Sequence, residues 1–276
     1  MSTMLKGNFS ASKQFVGLVS RHRQLIWEMT RREISDRYAG QVFGMLWAIG
    51  HPLFLIGLYI FIFAFVFKTR LGGTVEMPRD YTTYMLSGLV AWIGFQESMV
   101  KACTVITSNT SLVKQVAFPF EILPLKSVLS SLLVPVVAVV LLTIYVAART
   151  AALPWTYALI PVVFAMQVLS MLGIAYFLAA VGVYFRDAKD FIQLFATAGV
   201  YLIPAFYLPA WVPDLVKPVL YLNPFSYPIW CYQDVLYFGT FAHPWAWLVT
   251  PVLSVGGFLI GYRVFRRLKL GFGSML

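Results

Sequence analysis

The chain alternates between long apolar stretches and short polar ones. Six stretches approach the roughly 20 apolar residues that a helix needs to cross a bilayer. They cover residues 43–67, 84–103, 127–148, 158–184, 191–208 and 245–265. The second is the weakest, because Gln96 and Glu97 interrupt its end. This pattern predicts an all-α integral membrane protein with six transmembrane helices.

The region before the first apolar stretch is polar, and residues 21–38 within it are predicted to be helical. Opposite charges stand four residues apart there, a spacing that stabilises helices. The pairs are Glu28–Arg32, Arg32–Asp36 and Glu33–Arg37. We expect an N-terminal amphipathic interface helix that either anchors on the membrane or also contacts a cytosolic partner. The polar start is unlike a signal peptide, so the first span is expected to be an uncleaved anchor.

Lysine and arginine residues are distributed unequally among the polar connections. Sixteen of the 21 lie before the first stretch, after the last, or in the connections after the second and fourth. The alternate connections hold the other five. Because an excess of Lys and Arg marks the cytoplasmic side, both termini are predicted to be cytoplasmic and the number of spans even.

The aromatic segment 209–238 contains five prolines together with Asp214, Lys217 and Asp234. A seventh span there would place the arginine-rich C-terminus outside. We therefore expect short, broken re-entrant helices in the outer half of the membrane, covered by protein or facing a polar path. The predicted organisation is a cytoplasmic N-terminal region (1–42) and a six-span domain (43–276). The domain contains a cytoplasmic loop at 105–126 and the outer re-entrant segment at 209–238.

The composition excludes a soluble enzyme. Hydrophobic residues make up 60% of the 276 residues and charged residues 12%, against about 25% charged in soluble domains. Membrane topology accounts for the net charge of +10, so no nucleic-acid partner is expected. Cys103 and Cys231 stand alone, and no metal site or disulfide is expected. The sequence has no phosphate-binding G-x-x-x-x-G-K-[ST] motif, so a separate chain must supply any ATPase activity.

The predicted cytoplasmic loop contains a short amphipathic segment that Pro119 and Pro124 are expected to close. Phe118 and Phe120 would be exposed apolar groups on the cytosolic side unless a partner covers them. Two interpretations stay open at this point. The segment is either an interfacial loop with aromatic anchors or a docking surface for another protein.

Four short motifs follow one another along the chain. They are Arg37-Tyr38-x-Gly40 with Gly44-x-x-Trp47 and Pro52, Lys114-x-Val116-x-Phe118-Pro119 with Ile122-Leu123-Pro124, Tyr184-Phe185-Arg186-Asp187, and Asn223-Pro224. Together, and over essentially the whole chain, they resemble the ABC-2 type permeases that export polysaccharides. The resemblance implies six spans, an N-terminal interface helix and re-entrant helices between spans five and six.

The same resemblance implies a function and an assembly. The chain would be a homodimeric permease with two copies of a cytosolic nucleotide-binding ATPase, which binds ATP and Mg²⁺. The substrate would be a lipid-linked polysaccharide of the O-antigen (lipopolysaccharide), capsule or teichoic acid type, exported across the cytoplasmic (inner) membrane. The resemblance assigns contact with the ATPase to Leu112, Val116, Phe118, Pro119, Phe120, Glu121, Arg186 and Asp187.

Aromatic residues are candidates for the path of a polymer, because sugar C–H faces stack on rings that hold them by no fixed hydrogen bonds. The candidate channel residues are Tyr59, Phe63, Tyr201 and Phe206. The candidate outer gate is Tyr207, Trp211, Tyr221, Asn223 and Pro224. The alternatives are ordinary packing against lipid or protein and membership of an interfacial aromatic belt.

Three charged residues are candidates for the inner mouth of the transport path. Glu97 lies near a predicted span, where an ionisable residue is by default a functional hypothesis. Lys101 stands four residues further on and can pair with it. Lys114 follows in the loop. A structural ion pair at the inner interface is the alternative.

Two other functions remain as alternatives. One is an ABC-2 exporter of a small molecule or drug. The other is a membrane enzyme acting on polyprenyl-linked sugars, which requires carboxylates gathered at one site. The acidic residues of this sequence are scattered among its predicted connections. We therefore predict a polysaccharide exporter subunit.

Overall fold

The computed structural model describes residues 14–62, 77–113, 118–150 and 153–275. All regular secondary structure within these ranges is helical. After helical residues 14–21, the main helices are α1 (Arg23–Tyr38), α2 (Trp47–Ile60), α3 (Tyr81–Thr104), α4 (Ile122–Ser131), α5 (Leu133–Thr150), α6 (Ile160–Tyr184), α7 (Ala188–Gly199), α8 (Lys217–Leu222), α9 (Ser226–Gln233) and α10 (Pro244–Leu268).

Three helical stretches among the described residues are long and apolar enough to cross a membrane. They are Ile122–Thr150, Trp155–Tyr184 and Pro244–Gly271, which match the third, fourth and sixth predicted spans. The first of them begins at Ile122, before its predicted start at residue 127, because the first turn of α4 accommodates Pro124. A proline is tolerated there, since the backbone N–H that it lacks would have no partner within the helix. Pro124 therefore lies inside the first turn of α4, and the expectation that it closes the loop segment is wrong.

Helix α3 is the second predicted span and forms the centre of the bundle. Its 24 residues extend about 36 Å, enough to cross the hydrocarbon core. Residues 81–92 are all buried, and α3 packs against α5, α6, α7 and α9. Because protein covers this helix, it tolerates polar residues such as Glu97 that weaken its apolar pattern. Cys103, near its end, and Cys231 are both buried and free.

The region predicted as the fifth span, 191–208, is helical only in part. Helix α7 has 12 residues and extends about 18 Å, less than the thickness of the hydrocarbon core. Residues 200–208 continue as turns and bends around Pro204. The carbonyl oxygen of Pro204 accepts hydrogen bonds from Tyr84 Oη (3.1 Å) and Gln233 Nε2 (2.6 Å). The fifth helix is therefore shorter than predicted, and contacts with α3 and α9 hold the chain that follows it.

Segment 209–238 consists of short helices, as its prolines predict. It contains the turn Pro209–Trp211, then α8, α9 and a π-helical turn at Asp234–Phe238. Side chains from elsewhere in the chain satisfy carbonyls of the π-helical turn. Thr156 Oγ1 donates to the Val235 carbonyl at 2.8 Å, and Tyr157 Oη donates to the Leu236 carbonyl at 3.0 Å. These contacts attach the broken segment to the chain just before α6.

Candidate functional site

A network of charged side chains joins α1 to α3 and α4. Arg37 Nη1 donates to Glu97 Oε1 at 2.6 Å, and Lys101 Nζ lies 2.9 Å from the same oxygen. Glu33 Oε2 lies 3.3 Å from Lys126 Nζ, while Glu33 Oε1 lies 3.7 Å from Lys101 Nζ. The predicted pair of Glu97 and Lys101 is therefore confirmed, as one edge of a larger network. We call these five residues the inner charge network.

Sequence reasoning missed three members of the inner charge network: Glu33, Arg37 and Lys126. It paired Glu33 with Arg37 inside α1, whereas the structure directs both side chains towards α3 and α4. The sequence does contain a pattern that indicates these contacts. Helices α1 and α3 each carry an acidic residue four positions before a basic one, so the two pairs can meet with opposite charges facing each other.

The inner charge network is partly shielded from solvent. The side chain of Glu97 is 15% exposed and that of Lys126 is 10% exposed. Ser130 Oγ donates a further hydrogen bond of 2.7 Å to Glu33. Burial raises the pKa of the neighbouring Tyr38 hydroxyl, which therefore stays protonated. Charge-assisted hydrogen bonds thus fix α1 to the bundle, beyond any anchoring on the membrane surface.

Reversing the charge of Glu97 should release α1. The Glu97→Lys variant places three cations together and removes hydrogen bonds of a type worth about 2 kcal/mol each. We expect faster tryptic cleavage at Arg31 and Arg32, which are exposed on α1. Cleavage rates of the purified chain in detergent would measure this. The double variant Glu97→Lys with Arg37→Glu should recover protection, and equal cleavage rates in all three proteins would contradict the expectation.

A cleft of about 460 Å³ lies between α1 and the loop 105–126. It is lined by Leu25, Met29, Arg32, Glu33, Asp36, Asn109, Leu112, Phe118 and Lys126. The rings of Phe118 and Phe120 are half-buried, with centroids 6.5 Å apart, and both pack on the core. They are therefore less exposed than the sequence suggested. The cleft is lined by both apolar and charged side chains, which suits a protein segment of mixed polarity.

The other residues assigned to ATPase contact lie around the same end of the bundle. Pro119 is half-buried, and the predicted Val116 and Lys114 lie outside the described residues. Arg186 and Asp187 are exposed in the turn between α6 and α7. The Ala188 carbonyl that follows them lies 4.0 Å from Cys103 Sγ, at the end of α3. The two predicted contact elements are therefore close to the same end of α3.

Glu121 differs from the other assigned contact residues because it is buried, with 8% of its surface exposed. Its carboxylate forms an ion pair with Lys269, which follows α10. Its carbonyl oxygen accepts a hydrogen bond of 2.8 Å from Tyr176 Oη. Glu121 is therefore an internal connection at the end of the loop.

The candidate channel and gate residues meet in the turns that follow α7. Tyr201 stacks on Phe206, with ring centroids 5.9 Å apart and planes inclined by 22°. Tyr207 Oη donates to the Tyr201 carbonyl at 3.0 Å, and Asn223 Nδ2 donates to the Leu202 carbonyl at 2.9 Å. The Tyr201 side chain is 69% exposed. A pair formed by the exposed Tyr201 and the half-buried Phe206 is thus held in place by residues predicted for the gate.

The remaining candidates are more dispersed. Tyr59 lines a small hollow between α2, α3 and α5. Phe63 lies outside the described residues. Trp211 is 44% exposed on its own short turn, and the ring of Tyr221 contacts Trp230 at 5.3 Å.

Pro224, the last gate candidate, lines a cavity of about 480 Å³ between α6, α9 and α10. The structure therefore unites Tyr201, Phe206, Tyr207 and Asn223 more clearly than it does the rest of the aromatic set.

Long apolar helices around a buried central helix, with a charge network at one end, define a multi-pass membrane protein. The chain matches the ABC-2 type transporter family over residues 24–237 and belongs to that family. Two proteins from Klebsiella pneumoniae, each named O-antigen export system permease protein RfbA, are 26% identical to it. Each alignment covers 91% of this chain and 95% of the relative. A protein of the same name from Myxococcus xanthus is 27% identical, over 78% of this chain and 81% of its own length.

Family membership confirms the resemblance found in the sequence and fixes the general role of the chain. It is a membrane subunit of a transporter and is not itself the ATPase. Its partner is a cytosolic ABC ATPase, and its place is the inner membrane.

Proposed function

We propose that this chain is the permease subunit of an ATP-driven exporter of a lipid-linked polysaccharide of the O-antigen, capsule or teichoic acid type. The observation that carries this proposal is the similarity, over 91% of the chain, to proteins named as O-antigen export permeases. The exposed ring of Tyr201, which stacks on Phe206, supports it further, because aromatic faces bind sugar rings while leaving them free to slide.

The working assembly is a homodimer with two copies of the ATPase, which bind ATP and Mg²⁺. Each permease chain spans the membrane six times, with both termini in the cytoplasm. Helix α2 and the region from α7 through the following turns supply the first and fifth spans. Segment 209–238 re-enters from the outer side. The distribution of Lys and Arg supports this orientation, because 16 of the 21 lie before the first apolar stretch, after the last, or in the connections after the second and fourth.

The ATPase docks on the loop 105–126 and on the turn that contains Arg186 and Asp187. The loop connects the end of α3 to the start of α4, so a displacement of the loop acts on both helices. Helix α3 in turn contacts the turns after α7 through the hydrogen bond from Tyr84 to Pro204. ATP binding at the inner side is thereby linked to the aromatic residues that would face the polymer.

Deletion of this chain in its host tests the proposed function. We expect lipid-linked polymer to accumulate in the cytoplasm and to disappear from the surface, as measured by fractionation and antibody staining. Rescue should require both the wild-type chain and an ATPase that hydrolyses ATP. Absence of polymer synthesis would favour a membrane enzyme of polyprenyl-linked sugars. Unchanged surface polymer would favour an ABC-2 exporter of a small molecule.

A further inference from the structure

The chain after α10 packs back onto the bundle. Phe272 is fully buried, with its ring centroid 5.6 Å from that of Phe265 and 6.2 Å from that of Tyr184. Tyr184 Oη donates a hydrogen bond of 2.9 Å to the Leu268 carbonyl. A Cβ atom on Gly271 would lie 2.4 Å from the same hydroxyl, so this turn fits closely against α6. The end of α10 is therefore held in a defined position.

This fixed turn carries Lys269, whose ammonium group forms an ion pair with Glu121. The side chains of the two residues are 29% and 10% exposed, so solvent shields the pair only in part. Glu121 is the residue immediately before α4 and the last of the loop residues assigned to ATPase contact. Its backbone carbonyl also accepts a hydrogen bond from the hydroxyl of Tyr176, which is fully buried in α6. Glu121 is thus attached to α6 by a hydrogen bond to its backbone carbonyl, and to the end of α10 by the ion pair of its side chain.

Helices α6 and α10 form the most extensive helix pair of the structure, and no side chain separates them where Gly173 faces Gly261. Small residues at such a contact let the two backbones approach closely. A displacement of Glu121 therefore acts on this pair at two separate points. The bond from Tyr176 persists in any variant of Glu121 because it uses the backbone, whereas the connection to α10 depends on Lys269.

We propose that Lys269 is a positioning residue for energy coupling: its ion pair with Glu121 makes α10 follow the loop when the ATPase moves it. The proposal rests on the proposed function of the loop as the ATPase contact. Lys269 itself touches neither nucleotide nor substrate in this scheme. Replacing Lys269 should uncouple ATP hydrolysis from transport, while the ATPase stays bound to the permease.

The test uses the complete complex of permease and ATPase in liposomes, with spin labels at Ser108 and Leu270. Both positions are exposed, one in the loop and one after Lys269. In the wild type, ATP should leave the distance between the labels unchanged. In the Lys269→Glu variant, ATP should change it. Polymer exported per ATP hydrolysed should fall roughly tenfold in this variant, since a charge-assisted contact is replaced by repulsion.

Three further variants separate positioning from simple folding. Lys269→Arg keeps the charge and should behave as the wild type. The double variant Lys269→Glu with Glu121→Lys should restore most of the coupling. Arg267→Glu makes the same change of charge on an exposed neighbouring residue and should leave the label distance unchanged.

The proposal is overturned if the label distance responds to ATP equally in the wild type and in Lys269→Glu. It is also overturned if Lys269→Glu loses the bound ATPase, because Lys269 would then act in docking. A wild-type complex that hydrolyses ATP but exports no polymer would count against the proposed function alone. The label distances would still decide the role of Lys269 in that case.

Discussion

Replacing both Phe118 and Phe120 by aspartate should abolish export while the chain remains in the membrane. Phe118 lines the cleft between α1 and the loop, and both rings keep part of their surface exposed. An aromatic hot spot in an interface contributes about 2 kcal/mol, so losing two costs about 4 kcal/mol. The affinity for the ATPase should fall several hundred-fold. Capture of the ATPase by the tagged permease and surface polymer in the deletion strain would measure the two effects.

The controls for this double variant keep the apolar character of the loop. Phe118→Leu and Phe120→Leu should retain binding of the ATPase, because both side chains also pack on the core. Membrane fractions probed for the permease show whether the aspartate variant inserts. If the double aspartate variant still binds the ATPase and exports polymer, the loop is not part of the docking surface.

The strongly apolar helices were predictable from the sequence because lipid must cover much of their surface. Helices α5, α6 and α10 agree with the predicted spans to within a few residues or one short helix. Helix α3 covers the stretch predicted as the weakest span, and its residues 81–92 are all buried. Apolar patterns report contact with lipid, and a helix surrounded by protein does not need a continuous apolar surface.

The inner charge network was predictable only in its local part. Spacing along one helix identified the pair of Glu97 and Lys101, which lie on successive turns. The contacts of Glu33 with Lys126 and of Glu121 with Lys269 join residues far apart in the sequence. Which residues meet in such pairs depends on how helices pack, and spacing along the chain does not determine that.

For the aromatic candidates, too, the sequence indicates the residue types but not their arrangement in space. The residue types were identifiable, since aromatic side chains concentrate in the segments concerned. Their arrangement depends on the early end of α7 at Gly199 and on the turns around Pro204. A continuous fifth helix would have spread Tyr201, Phe206 and Tyr207 around its surface. The turns instead bring them together.

Replacing Gly261 by alanine should strongly destabilise the fold. A Cβ atom at this position of α10 would lie 2.0 Å from the carbonyl oxygen of Gly173 in α6. The obstacle is backbone, so no side chain can rotate away, and the two helices must separate. Overpacking of this kind costs up to about 3 kcal/mol. We expect little monodisperse protein after detergent extraction and a lower midpoint of thermal unfolding.

Gly256→Ala is the matched control, because a Cβ atom there meets nothing within 4 Å. Alanine favours a helix over glycine by about 1 kcal/mol, so this variant should be as stable as the wild type or slightly more stable. Equal unfolding midpoints for Gly261→Ala and Gly256→Ala would contradict the close contact of α6 and α10. Because α10 leads directly into Lys269, separating the two helices should also disturb the pair with Glu121. Gly261→Ala should therefore reduce both stability and coupling, whereas Lys269→Glu should reduce coupling alone.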